Sequence, residues 1–151
     1  MNGNPYMINM EAQEIIHCRG HPFVLGTHPT TFEVTREAHL TKKGNCIIGI
    51  SADKSCNSLS AEFKRVLTHD DAVLITSLSC DGKTIEVKSR GSSQFTFDHP
   101  TDMVWRRSSF VCGRTIGIMS DHVAATLPGG LLANLVAGRE MIITLTATRP
   151  G

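Results

Sequence analysis

The sequence contains no uninterrupted apolar run near the roughly 20 residues that a bilayer requires, which excludes a membrane-spanning helix. It has almost no excess of either charge. Fifteen Lys+Arg stand against 14 Asp+Glu, a net +1, so no global field draws the chain to nucleic acid or to an anionic membrane. Its five cysteines (Cys18, Cys46, Cys56, Cys80 and Cys112) include no C-x-x-C pair and are odd in number. That suits reduced thiols in a cytoplasm and speaks against a disulfide framework. A Gly-rich phosphate loop is missing, because Gly129-Gly130 lacks the Lys-Ser/Thr that must follow. A Cys-based phosphate loop fails too, since position 24, six residues after Cys18, is Val instead of Arg. The first residues hold Asn2, Asn4 and Asn9 and no basic stretch ahead of an apolar one, so 1–11 reads as a flexible tail and not as a secretory signal. What remains is globular material: 151 residues, 40% apolar, enough to bury one core in a single domain over 12–151.

The chain repeats itself. Arg19-Gly20, seven residues and His28-Pro29-Thr30 return as Arg90-Gly91, seven residues and His99-Pro100-Thr101, a spacing of 71 that Arg36 and Arg107 keep. After a three-residue shortening, Gly49-Ile50, Asp53, Leu59, Leu67 and Ile75-Thr76 match Gly117-Ile118, Asp121, Leu127, Leu135 and Ile143-Thr144 at a spacing of 68. Two copies of this length make no solenoid, so the repeats, about 12–80 and 83–148, are expected to intertwine about a pseudo-twofold axis. Each copy predicts the same elements. Alternating strands run from Glu14 to Arg19 and from Lys83 to Arg90; second strands lie at Phe32-Glu33-Val34 and Met103-Val104-Trp105. Short buried strands follow at Cys46 to Ser51 and Thr115 to Met119. With Ser58 as N-cap, Leu59, Phe63, Val66 and Leu67 share one helical face; Leu127, Leu131, Leu132 and Leu135 do so in the second copy, where Pro128-Gly129-Gly130 is expected to shorten or delay the helix. Strands from Val73 to Leu78 and Met141 to Thr146 close the copies, and Cys80-Asp81-Gly82-Lys83 reads as a type I′ hairpin joining them. The expected fold is mainly β with two or more short helices, α+β by content: a pseudo-twofold β-barrel of duplicated β-β-β-α-β units, similar in outline to cradle-loop and double-psi barrels.

Five stretches carry a resemblance: Cys18-Arg19-Gly20-His21-Pro22, Thr27-His28-Pro29-Thr30-Thr31-Phe32-Glu33, Gly44-Asn45-Cys46-Ile47-Ile48-Gly49, Ala52-Asp53-Lys54 and Ser109-Phe110-Val111-Cys112-Gly113-Arg114-Thr115. From about residue 12 onward the chain resembles an archaeal family of uncharacterised proteins, domain of unknown function 371. It departs at Asn45, where the family has Asp, and at Pro128-Gly129-Gly130, where the family has a charged helix. The resemblance implies a cytoplasmic archaeal-type protein and brings no activity with it.

Candidate chemistry follows from the repeated polar residues. Asp53 and Asp121 follow equivalent strands and precede the helices, where a carboxylate is either an acid/base catalyst or an N-cap. If symmetry brings them to one groove, the pair can share a proton or hold a divalent cation. His28 and His99 precede Pro and read either as proton-transfer residues or as turn histidines bonded to a carbonyl. Thr30, Thr31, Thr101 and Asp102 follow them; with Arg19 and Arg90, and with Lys54 and Arg114 as further members, they form a ligand-binding set suited to an anion. Cys18, His21 and His28, close to His17, are the densest group of soft metal ligands. Cys112 beside Arg114 is either a thiol of lowered pKa or a buried structural cysteine. Trp105-Arg106-Arg107 is the best basic stretch, a solvated rim or an RNA contact. The leading expectation is a polar, anionic small molecule bound in the groove between repeats, a divalent metal being optional and enzyme status open. The alternatives are an RNA-associated module and a structural subunit of a larger assembly, with no membrane partner.

Overall fold

The computed structural model describes residues 10–41 and 43–151. Most of the expected tail lies outside the described residues, while its last two residues, Met10 and Glu11, already belong to a strand. The elements come in one order twice: β1 (Met10–Arg19), β2 (Thr31–Thr35), β3 (Ile47–Gly49), α1 (Ala61–Leu67) and β4 (Val73–Cys80), then β5 (Lys83–Arg90), β6 (Asp102–Arg106), β7 (Thr115–Gly117), α2 (Gly129–Val136) and β8 (Glu140–Arg149). A 3₁₀ turn, Cys56–Ser58 or Ala124–Thr126, precedes each helix. None of the described helices is long and apolar enough to cross a membrane.

The hairpin signal holds. Asp81 and Gly82 have φ of 48° and 82°, the paired positive values of a type I′ turn, and β4 pairs antiparallel with β5 from Cys80 opposite Lys83 to Val73 opposite Arg90. The first strand pairs antiparallel with the last, as expected. A closed barrel does not form. The strands make two four-stranded sheets, β1-β8-β4-β5 and β3-β2-β6-β7, the second with β2 and β6 antiparallel at its centre and parallel pairs at its edges. The reason is local. Beyond the three-residue strands β3 and β7, Ile50 and Ile118 each make a single antiparallel bridge to the other sheet, to Arg19 and Arg90. The next residues, Ser51 (φ 54°) and Met119 (φ 52°), are left-handed and turn the chain away before a second pair can form.

Alternation in β1 and β4 sends Ile16, Cys18, Leu74 and Leu78 inward, where they meet Phe32, Val34, Met103 and Trp105 of the second sheet in one apolar cluster. Each fully buried large side chain contributes about 1.5–3 kcal/mol. Trp105 stacks on Phe32 (centroids 4.5 Å apart, 12° between planes), and its Nε1 donates to Thr76 Oγ1 at 2.8 Å, so a hydrogen bond joins the sheets inside the core. Glycine permits the close approach: a Cβ at Gly49 would lie 2.8 Å from Cys18 Sγ, and one at Gly117 2.9 Å from Ser89 Cβ.

Three local expectations are corrected. The N-cap of α1 is Ser60, whose Oγ accepts the Phe63 N–H at 3.1 Å; Ser58 instead caps its 3₁₀ turn, its Oγ accepting the Ser55 N–H. Second, α2 is neither shortened nor delayed. Pro128 is its N-cap and Gly129-Gly130 its first residues, where N–H groups have no intrahelical acceptor to lose. Third, β8 begins 67 residues after β4, not 68. A one-residue slip in a strand exchanges its faces. Thr76 and Ile143 are therefore buried while Ile75 and Thr144, their look-alikes at 68, are half-buried on the outer face.

Candidate functional site

The repeated aspartates act as staples between loop and strand. Asp53 Oδ1 accepts the His17 N–H at 2.9 Å while the Asp53 N–H donates to the His17 carbonyl at 3.0 Å. Asp121 makes the same pair with Lys88, at 2.9 and 3.0 Å. Neither caps a helix. They bond to β1 and β5, the two edge strands of the first sheet, three strand intervals apart, and Asp121 does not line the pocket that Asp53 lines. We expect Asp121→Ala to cost about 1–2 kcal/mol, read as a lower urea midpoint at unchanged m, because it strips an acceptor from an edge strand.

The histidines organise turns, though through N–H groups and not a carbonyl. His28 Nδ1 accepts the N–H groups of Thr30 (3.2 Å) and Thr31 (3.1 Å) and meets Thr31 Oγ1 at 3.0 Å. His99 Nδ1 accepts those of Thr101 (3.3 Å) and Asp102 (2.9 Å). Accepting backbone N–H groups keeps Nδ1 unprotonated in the neutral ring. Each turn also docks on the opposite half: the His28 carbonyl accepts the Ala125 N–H, and the His99 carbonyl the Asn57 N–H. Lys54 is likewise structural. Its Nζ donates to Glu14 Oε1 at 2.8 Å, and Glu14 Oε2 accepts the Ser60 N–H at 2.5 Å, tying β1 to the start of α1. Burial pushes the Glu14 carboxyl up, but Lys54 and Ser60 together hold it below its usual value.

The proposed metal ligands are not brought together. Burial, reinforced by Asp53, pushes the Cys18 thiol up to about 12, and His21 Nδ1 is taken by the Phe23 N–H. No group of three or more His, Cys, Asp or Glu able to hold a metal ion occurs among the described residues. The aromatic of the proposed RNA patch is unavailable as well: Trp105 is wholly buried, and Arg106 turns back to Thr115 and Cys112.

Among the described residues two polar centres form. The first is a pocket of about 400 Å³ lined by His17, Cys18, Arg19, Ser51, Asp53, Gly138 and Glu140. It collects Cys18, Arg19 and Asp53 from the candidate set and adds Glu140 from the start of β8, whose Oε1 lies 3.7 Å from His17 Nδ1. Arg90 and Asp121, the counterparts of Arg19 and Asp53, are not among its lining residues. The second centre lies on the outer face of the other sheet. Glu33, 4% exposed, points away from the core because its β2 neighbours Phe32 and Val34 point inward. Arg114 Nη1 reaches Glu33 Oε1 at 3.1 Å and Asp102 Oδ2 at 3.6 Å, and His99 Nε2 is 4.0 Å from the same Asp102 oxygen. Burial, with Asp102 adding to it and Arg114 opposing, pushes the Glu33 carboxyl up to about 7. Glu33 was missed from sequence because it sits in a β-branched and aromatic strand where a charge reads as solvent-facing; the one signal was its lack of a polar counterpart at Val104.

The class of protein this defines is a two-sheet β protein with two helices, its titratable side chains gathered at one edge cleft and beneath one loop. The chain belongs to the family described as Domain of unknown function (DUF371), whose model matches residues 16–148. It is similar to an uncharacterized protein of Methanocaldococcus jannaschii, 37% identical over 131 residues that cover 87% of this chain and 96% of the relative.

Proposed function

We propose that this chain binds a small polar molecule in the pocket of Arg19, Asp53 and Glu140, on a frame that arose by duplication. The observation that carries the reading is the pocket itself. Its volume of about 400 Å³ is that of small-ligand sites, and it is built from both halves of the chain. The repeated element order supports the duplication, and the two bridging residues Ile50 and Ile118 make the pair of sheets an incompletely closed relative of the expected barrel. Arg19 offers forked donors to an anionic group. Asp53 and Glu140 line the same space, so the ligand carries a cationic or hydroxyl donor beside its anion; a simple anion meets two carboxylates.

Melting curves with three probes test this: free α-amino acids, inorganic phosphate and a diamine. At a hundredfold excess over Kd a bound ligand contributes about 2.7 kcal/mol, which raises Tm by roughly 5–10 °C in a chain of this size. We expect the amino acids to give the largest shift, with Arg19→Ala and Glu140→Gln each removing most of it. No shift from any probe, or a shift that both variants retain, overturns the reading.

A further inference from the structure

The five thiols are not alike. Cys18, Cys56 and Cys80 are buried, and burial pushes all three up. Cys46 is half-buried, yet its Sγ donates to Glu33 Oε1 at 3.8 Å and its thiol is pushed up to about 11 by burial and by that carboxylate. Cys112 is also half-buried, but it sits in the opposite setting. Donors converge on its sulfur: Arg106 Nη2 at 3.3 Å and Thr115 Oγ1 at 3.7 Å. Arg106 is fixed for this, with Nε on Thr115 Oγ1 at 2.9 Å and the guanidinium 4.9 Å from the centre of the exposed Phe110 ring. Arg114 spans from Cys112 to Glu33 and Asp102, which together keep it firmly protonated despite partial burial. Burial works against ionisation of Cys112, but the Arg114 N–H, the Thr115 hydroxyl and Arg106 outweigh it and bring the thiol down to about 7. The centre is built once. At the repeat-equivalent positions Thr35 stands for Arg106, Gly44 for Cys112, Cys46 for Arg114 and Val104 for Glu33.

We propose that Cys112, flanked by Arg106 and Arg114, is a nucleophilic thiol site that takes low-molecular-weight anionic disulfides. The two guanidinium groups attract the anion, and Arg106, with the Arg114 N–H, favours the thiolate. Sγ attacks one sulfur of the disulfide; the Cys112–sulfur bond forms, the original S–S bond breaks, and its electron pair leaves on the departing thiolate, which takes a proton from solvent. Cys112 is oxidised to a mixed disulfide and the small disulfide is reduced, so no other oxidant enters.

The test is the reaction of the full chain with the anionic aromatic disulfide dithiobis(nitrobenzoate) at pH 7. We expect one fast equivalent of released thiolate from the native protein, five after unfolding in urea, and none fast from Cys112→Ser. In Arg106→Gln the fast equivalent should slow at least tenfold and its pH midpoint should move up from about 7. The loss should be smaller with the uncharged dithiodipyridine, and Arg107→Gln, at the exposed neighbour, should leave the rate unchanged. Absence of a fast equivalent, its survival in Cys112→Ser, or equal effects of Arg106→Gln and Arg107→Gln overturns the proposal.

Discussion

Replacing Gly20 or Gly91 by alanine is expected to lower the melting temperature by roughly 10 °C. These glycines recur 71 residues apart, and each presses on a helix of the other half. A Cβ at Gly20 would run into the Leu135 carbonyl at the end of α2; one at Gly91 would meet the Leu67 carbonyl at the end of α1, with Ala72 Cβ at 2.8 Å and the His69 carbonyl at 2.9 Å. The obstacles are backbone atoms and one Cβ that the backbone fixes, so no side chain can swing aside. The N–H groups of the glycines are also engaged, Gly20 with the Arg139 carbonyl and Gly91 with that of Ala72, both at 2.9 Å, so the segments cannot simply back off. Overpacking of this kind costs about 3 kcal/mol, and a chain of this length loses roughly 2–4 °C per kcal/mol. Gly129→Ala is the control. It lies in the first turn of α2 with nothing within 4 Å, and it should hold or raise Tm because alanine is the better helix former. Calorimetric scans of the three variants decide the matter: a loss under 2 °C for both Gly20→Ala and Gly91→Ala would show that the helices are free to move.

The same contact explains how much of the fold could be read from the chain. Arg-Gly followed by His-Pro-Thr stands out in sequence because the glycine must be small and the histidine must accept two N–H groups; both demands are set by backbone, and backbone demands repeat wherever the fold does. Element order, the hairpin at Asp81-Gly82 and the pairing of the first strand with the last followed from such local rules. Closure did not. Whether two sheets join into a barrel depends on how far β3 and β7 run beside their neighbours, and the left-handed residues that stop them, Ser51 and Met119, carry no glycine to announce it. The slip between β4 and β8 was hidden for a related reason: Ile-Thr matches Ile-Thr in sequence even when the two pairs face opposite ways.

The candidate site was read less completely, because repeated polar residues were weighted as chemistry when most of them serve the frame. Asp53, Asp121, His28, His99 and Lys54 all satisfy backbone groups or a partner charge. In the second centre the polar residues that gather are ones that differ between halves. Glu33, Asp102, Arg106, Cys112 and Arg114 converge although they come from three separate stretches, and only the antiparallel register of β2 on β6, with Glu33 opposite Val104, places them together. Long-range register of that kind has no signature within either segment.

Glu33 should make the protein lose stability as pH rises from 5 to 8, by about 3 kcal/mol, and Glu33→Gln should remove most of that slope. In the folded chain the carboxyl lies beneath the loop before β7, where burial comes first and Asp102 second in raising it to about 7 from 4.5, against the pull of Arg114. Between those values the folded state holds a proton that the unfolded state has released. Stability from this group is therefore fully present below about pH 4.5 and drains away as pH passes through 7; a gap of this size is worth about 3 kcal/mol. Cys112 acts in the opposite sense. Its thiol is lowered from 9.0 to about 7, so the unfolded state binds the extra proton between those values and the contribution of Cys112 grows as pH rises above 7, until the raised thiols of Cys18, Cys46, Cys56 and Cys80 oppose it near pH 9. Urea unfolding at unit steps from pH 5 to 8 should therefore show a fall that is steepest between pH 5 and 7 and levels off between 7 and 8 in the wild type. In Glu33→Gln the fall between pH 5 and 7 flattens; in Cys112→Ser that fall remains and continues above pH 7, because the one thiol that offsets it is gone. Arg114→Met separates charge from packing, since it leaves the acid buried beside Asp102 without its cation: we expect a further loss of about 3 kcal/mol at pH 8 that shrinks toward pH 5, where Glu33 is protonated in the folded chain. Parallel curves for wild type and Glu33→Gln across the whole range would mean that Glu33 titrates as it does in water, and the buried acid would lose its place in the energetics of this fold.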